Sequence, residues 1–335
     1  MSISVAVIPL SSPVGEVEHD LGTELLASHG VELHWHPKWK RTHRFYAGTA
    51  EERAESFFEW ARDDRHSVIW NARGGYGAIQ LLPHLKRLTL EHGKPPKKLL
   101  VGSSDTTALF DFALSEWGWR VLHANMPGNT AIHEMNTAEW AALKSALEEG
   151  ELETIEKGWG GASLKRYTSG SGVHTGRLIG GNFAILTALL GTPFEWKGRE
   201  GDILFVEDVT ESYSRLDRMW DSLRLSGLLD RVQGVILGNF LECRDVSPQV
   251  LAEAPQSQDP TAWGALSRKP LRSTVDEHAL FQEWAHVLEG KGKFLFSGLP
   301  AGHGPRYAPI PIGAQVEVGG AEGMKLTSWG LDTSD

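Results

Sequence analysis

The sequence predicts an α/β protein: a doubly wound, mostly parallel sheet first, then a smaller α/β domain with mixed strands. Three observations lead there. Short apolar runs alternate with stretches of helical spacing from the start to about residue 150. Several of those runs end in small residues that open a helix at once, as in the βα turns of open parallel sheets. Between Gly150 and Gly172 the chain becomes rich in Gly, Ser and charge and loses its period, which marks a junction. The expected division is 1–150 as the first domain, 151–175 as linker and 176–335 as the second domain.

The elements follow in order. Ser4–Pro9 is an apolar strand entering a Ser/Pro/Gly turn. Glu18–His29 has helical spacing and stops at Gly30, a residue suited to a left-handed C-cap. Val31–Trp35 is a strand. Thr49 with Glu52 three residues later forms a capping box for the next helix, whose apolar side holds Phe57, Phe58 and Ala61. His66–Trp70 is a buried strand running into Asn-Ala-Arg-Gly-Gly-Tyr-Gly, and a helix follows through Leu85. Lys98–Gly102, Thr106–Glu116 and Arg120–Ala124 read strand, helix, strand, and Thr137–Glu149 is an amphipathic helix.

The second part begins at Gly176. Asn182–Leu190 is a helix, Asp202–Val206 a strand, Tyr213–Ser226 a helix and Val232–Gly238 a strand. Asp245–Thr274 is polar and carries prolines, so a loop with little regular structure is expected. Asp276–Leu288 is a helix and Lys293–Ser297 a strand. Gln315–Val318 pairs with Met324–Thr327 across a glycine-rich turn.

Composition excludes several classes. With 335 residues, 41% hydrophobic and 23% charged, the chain suits a globular protein with a large core. The formal net charge of -10 disfavours nucleic-acid binding, which rests on neutralising phosphates. The one basic cluster, Lys38–Arg44, reads as a solvated loop. A single cysteine, Cys243, leaves no disulfide framework and fits a reducing compartment. The first residues read as a buried strand rather than a signal peptide, and no apolar run approaches a membrane span. A cytoplasmic protein without membrane partners is expected. No HExxH or comparable ligand spacing appears, so neither a metal nor another cofactor is expected.

Four stretches can carry chemistry. In Gly102-Ser103-Ser104-Asp105 a buried strand meets a helix start, the setting of a nucleophile elbow. Helix capping by Ser104 or Asp105 is the commoner local use of such residues. In Arg73–Gly77 adjacent glycines let the backbone approach a ligand, and an ordinary tight turn needs the same residues. Glu207 and Asp208 follow an apolar strand, where a carboxylate can orient a histidine or cap a helix. Glu211 is a second, less well placed acid. His303 lies between glycines after a strand and is singled out from 14 histidines by that setting. His123, also at a strand end, is the runner-up. Serine, acid and histidine occur in the chain order of α/β-hydrolases, without a GxSxG.

Five blocks in one order resemble the LD-carboxypeptidase family of serine peptidases, which includes murein tetrapeptide carboxypeptidases and microcin-C immunity peptidases. They are ARGGYGAIQLLPHL, VGSSDTTALF, GRLIGGNFAILTALLGTP, ILFVEDVTESYSRLDRMWDSLRLSGLLDRVQGVILGNF and GLPAGHGPRYAPIPIGAQVEV, spanning Arg73 to Val318. The resemblance implies a flavodoxin-like N-terminal domain, a smaller C-terminal α/β domain with the active site between them, and a homodimer. It implies a triad of Ser104, Glu207 and His303, with backbone amides of Gly75 and Asp105 as oxyanion hole. Arg73, Asn182 and Arg306 are candidates for gripping a terminal carboxylate. The implied substrate is an L,D-peptide such as the meso-diaminopimelate–D-Ala bond of murein tetrapeptide. The first alternative is a peptidyl- or aminoacyl-nucleotide antibiotic, read by the loops Trp159–Thr175 and Arg244–Ser273. There Trp159 offers a ring for a nucleobase, although packing is the commoner use of a tryptophan. A non-catalytic small-molecule binding protein is the second alternative. The sequence departs from the family at Ser103, where an aromatic is common, and at His123-Ala124-Asn125-Met126, where H-G-P-M is usual.

Overall fold

A computed structural model describes residues 3–160, 163–244, 276–304, 306–320 and 323–330. Its strands are β1 (Ile3–Ile8), β2 (Val31–Trp35), β3 (Val68–Asn71), β4 (Leu99–Gly102), β5 (Arg120–His123), β6 (Lys165–Arg166), β7 (His174–Asn182), β8 (Ile203–Val209), β9 (Gly234–Leu241), β10 (Phe294–Ser297), β11 (Ile310–Ile312), β12 (Gln315–Gly320) and β13 (Gly323–Ser328). The α-helices are α1 (Glu16–Ser28), α2 (Ala50–Arg62), α3 (Leu81–His92), α4 (Phe110–Ser115), α5 (Thr137–Leu147), α6 (Leu152–Gly158), α7 (Phe183–Ala188), α8 (Tyr213–Leu225), α9 (Leu228–Arg231) and α10 (Glu277–Glu289).

Among the described residues the strands form two sheets. The first runs β11-β5-β4-β3-β1-β2, parallel from β2 to β5. That is the flavodoxin-like order, which reverses between β1 and β3 and opens a crevice at the carboxyl ends of the strands. Helices cover this sheet, so β3 and β4 are buried along their whole length and read as unbroken apolar runs. The second sheet runs β13-β12-β7-β8-β9-β10-β6. Its centre, β7 to β10, is parallel, and antiparallel strands β12, β13 and β6 close its edges.

Local signals in the sequence act as expected where they are strong. Thr49 and Glu52 close the expected reciprocal capping box at the start of α2, and Asn136 and Glu139 close a further one, not expected, at the start of α5. Each such cap is worth about 1 kcal/mol. The N-terminal core gathers Phe57, Trp117 and Trp119, while in the second domain Trp220 stacks on Trp284 at 4.7 Å.

Several expectations change, among them the end of α3, which runs to His92 and not to Leu85, and β7, which was not expected as a strand. The stretch expected as an unstructured linker contains α6 and the short β6. Helix α6 has under two turns and buries only Ile155 and Gly158, too little to leave a period in the sequence. Strand β11 belongs to the first sheet although it comes from the C-terminal part, pairing Ile310 with His123. Strand β8 does not stop at Val206 but runs on through Glu207 and Asp208. The predicted loop 245–274 lies outside the described residues, as do residues 161–162 of the 159–175 loop. Among the described residues no helix is long and apolar enough to cross a membrane.

Candidate active site

The site is assembled from strand ends. After β4, Ser103 is extended and Ser104 takes φ +54°, in the left-handed region that non-glycine residues rarely enter. That conformation costs on the order of 1–2 kcal/mol. A 3₁₀ turn, Ser104–Leu109, follows directly. Neighbours clamp the elbow. The Ala78 amide donates to the buried Asp105 carboxylate at 2.8 Å, and Asn71 Nδ2 donates to Thr106 Oγ1 at 2.7 Å. Burial pushes the Asp105 carboxyl up from its ordinary value. The buried Arg53 guanidinium donates to the carbonyls of Leu10 and Gly77, so the turns after β1 and β3 are held together.

The glycine loop after β3 lies against the elbow. A β-carbon at Gly74 would sit 3.2 Å from Ser104 Oγ. Gly75 has φ +113°, and a β-carbon there would lie 2.1 Å from Ser12 Oγ, so the loop can pass only as glycine. Among the described residues neither the Gly75 nor the Asp105 amide donates a hydrogen bond, whereas the next amide, Tyr76, is taken by Ser12 Oγ at 3.3 Å. Arg73 is exposed; it donates to the Pro13 carbonyl at 3.3 Å and forms no ion pair among the described residues.

The acid comes from the second sheet. Opposite Glu207 the register between β8 and β9 slips, so β9 carries an extra residue there. A bulge of this kind re-aims side chains. The fully buried Glu207 accepts from the His303 amide at 3.1 Å and faces His303 Nδ1 at 2.9 Å, both through Oε2. Burial pushes the Glu207 carboxyl up, but His303 and then His123 outweigh it and hold it well below the usual carboxylate range. Burial lowers the His303 pKa, and the Glu207 charge and hydrogen bond reverse this, leaving it above the ordinary value. Asp208, one residue on, points to the opposite face, as adjacent strand residues do. It accepts from Asn182 Nδ2 at 3.1 Å and the Ala184 amide at 2.9 Å, and burial with the Glu207 charge raises it to about 6.

The two sheets meet at this edge. Thr107 Oγ1, just past the elbow, accepts from the Asn182 amide at 3.0 Å. Tyr307 is buried between the halves, its ring 5.9 Å from His123 and 6.3 Å from His303. Its hydroxyl interacts with Ser103, without a completed hydrogen bond among the described residues. Ser104 and His303 likewise share no hydrogen bond among the described residues, so the elbow and the Glu207–His303 pair are brought to one edge but not joined.

Other candidates have structural employment. Asn182 caps α7, accepting from the Ile185 amide at 3.2 Å, and is buried. Arg306 donates to the buried Glu139 at 2.8 Å and to the Gly158 carbonyl at 2.9 Å. Glu211 pairs with Arg215 at 3.0 Å. Trp159 is buried and donates to the Pro309 carbonyl at 3.0 Å, which takes it away from any nucleobase. Cys243 is buried and its thiol is pushed up to about 12 by burial. The sequence singles out no signal for Tyr307, and for His123 it offers the strand-end position and its place in the block where the family usually has H-G-P-M. Among the described residues no group of three or more His, Cys, Asp or Glu side chains has metal-holding geometry.

Comparison with known proteins bears on this arrangement. Residues 5–124 match the LD-carboxypeptidase N-terminal domain and residues 175–318 the LD-carboxypeptidase C-terminal domain. The murein tetrapeptide carboxypeptidase of Pseudomonas aeruginosa is 26% identical over 92% of this chain and 91% of its own. The microcin C7 self-immunity protein MccF of Escherichia coli is 27% identical over 89% of this chain and 84% of its own. A relative in Rickettsia conorii is 32% identical over 64% of this chain, and the match spans 66% of that relative's length, just under two thirds. The crystal structure of muramoyltetrapeptide carboxypeptidase from Oxalobacter formigenes superposes with a TM-score of 0.67 at 21% identity, covering 98% of this chain and 99% of that one. At that identity the likeness shows a shared fold.

Proposed function

The chain belongs to the LD-carboxypeptidase family, and from that premise we propose that it is a serine carboxypeptidase acting on an L,D-peptide bond. The substrate in this reading is the meso-diaminopimelate–D-Ala bond of a murein tetrapeptide. The carrying observation is the buried Glu207–His303 pair at the same sheet edge as a left-handed Ser104.

Ser104 attacks the scissile carbonyl, and His303 Nε2 takes its proton. Glu207 holds Nδ1 and stabilises the imidazolium. The oxyanion is received by the undonated amides of Gly75 and Asp105. His303 then returns the proton to the departing D-alanine amine, and water releases the acyl-enzyme by the same route. Catalytic hydrogen bonds are often long before substrate binds and tighten in the complex, which is what Ser104 and His303 require here. Arg73 supplies the positive charge for the terminal carboxylate. The same reading places the enzyme in the cytoplasm, as a homodimer, trimming imported cell-wall peptides.

Likeness over most of the chain to the microcin C7 self-immunity protein supports a second reading, hydrolysis of an aminoacyl-nucleotide by the same residues. Incubation with L-Ala-γ-D-Glu-meso-diaminopimelate-D-Ala and measurement of free D-alanine separates them. Release abolished by Ser104→Ala is the expected result. No release by the wild type overturns the murein reading and directs the assay to aminoacyl sulfamoyl nucleotides. Inactivity toward both would favour a binding protein.

A further inference from the structure

Glu207 is fully out of water, yet both of its hydrogen-bond contacts, to the His303 amide and to His303 Nδ1, fall on Oε2. Its other oxygen, Oε1, faces His123 Nε2 at 3.5 Å and completes no hydrogen bond among the described residues. A buried carboxylate oxygen left without a donor is costly, and the cost falls when a donor closes on it. His123 is the last residue of β5, in register with Gly102 on β4 and Ile310 on β11. Its ring is fully buried, parallel to Tyr307 and edge-on to Phe205 and Phe110 at 5.4 and 6.2 Å. Such packing fixes the ring plane and leaves the imidazole little freedom to turn elsewhere.

We propose that His123 is a positioning residue for the acid of the site. Its Nε2–H holds Glu207 Oε1, keeps the carboxylate ionised and presents Oε2 to His303. No proton moves between them. The elbow's own sheet thereby holds the acid of the other sheet. This role rests on the triad reading above, but its test does not require turnover.

The sign of the effect is fixed by charge. A donor on Oε1 stabilises the carboxylate anion and lowers the basicity of the coupled Glu207–His303 pair. Without it, the pair keeps its proton to higher pH. The other groups facing this cluster are Asp208 on β8, Tyr307 on the histidine loop and the Ser103 hydroxyl on the elbow. A ring-for-ring change at 123 leaves all three in place.

The experiment is an NMR titration of the His303 ring in histidine-labelled full-length protein, for the wild type, His123→Phe and His123→Gln. Phe keeps the ring packing without a donor, and Gln restores an N–H. The His303 midpoint is expected to rise by about half a pH unit or more in His123→Phe and to return toward the wild type in His123→Gln. An unmoved midpoint in folded His123→Phe overturns the proposal. Nitrogen shifts of wild-type His123 decide it without any variant: a proton on Nε2 supports it, and a proton on Nδ1 alone overturns it. If the wild type releases no D-alanine, the murein reading fails while the titration still decides the role of His123.

Discussion

Gly302 packs so closely on Glu207 that a β-carbon at position 302 would lie 2.5 Å from Oε2, the oxygen that holds His303. Gly302 also has φ +97°. Gly302→Ala therefore strains the backbone and pushes the acid from its partner. It should cost at least about 1 kcal/mol in stability. It should also cost on the order of 100-fold in kcat, since small displacements of a catalytic group are that expensive. Denaturant melts and D-alanine release on one preparation check both; unchanged kcat would show that the pair tolerates displacement.

Ser104 pays for its position in backbone strain. Ser104→Gly removes the penalty for φ +54°, while Ser104→Ala keeps it. The glycine variant should be the more stable of the two by about 1 kcal/mol, the strain relieved less the entropy glycine loses on folding. Both should lose on the order of 10⁴ in kcat. Equal melting of the two variants would mean that the elbow relaxes in solution.

The pH profile follows from the His303 shift. In the proposed mechanism His303 must be neutral to accept the serine proton, and the Glu207 charge raises its pKa above the ordinary value. The acid limb of kcat/KM should therefore have its midpoint above pH ~6.5, the ordinary histidine value, with activity lost as the pH falls through it. Glu207→Gln removes the charge that raises it, so the limb should move down, with kcat reduced on the order of 10³–10⁴-fold. A limb that stays put in Glu207→Gln would assign it to another group.

Arg73 and Arg306 separate by what they change. Arg306 serves the buried Glu139, so Arg306→Met should lower stability by about 2 kcal/mol, less than for a fully buried pair because its side chain is 40% exposed. KM should barely move. Arg73→Ala should leave stability alone and raise KM about tenfold, the size of one charge-assisted contact at an exposed site. Steady-state kinetics with thermal melts on both variants would expose an exchanged assignment.

Much of the first sheet was legible because each strand and helix announces itself locally. Apolar runs such as Leu99–Gly102 and the Thr49–Glu52 cap act over a few residues, and the structure places strands β1 to β5 within a few positions of expectation, whereas α3 runs on to His92 where a helix through Leu85 was expected. Element ends were less legible. Strand β8 carries its two acids inside the sheet, because pairing with β7 and β9 extends it past the last apolar residue. Asn182 and Arg306 look alike as polar residues near glycines, and only their partners show how each is employed.

By itself, then, the sequence determined the alternation of strand and helix and the residue types at the strand ends. It also placed the five blocks that mark the family. Tertiary structure decided which acid of the Glu207–Asp208 pair turns to His303, a partner 96 residues away. It also set His123 beside Glu207 from the other sheet and returned β11 to the N-terminal half. The physical reason is range. Capping and periodicity act within a turn or two of chain, whereas a carboxylate buried between two sheets is defined by groups that only folding brings within hydrogen-bond distance.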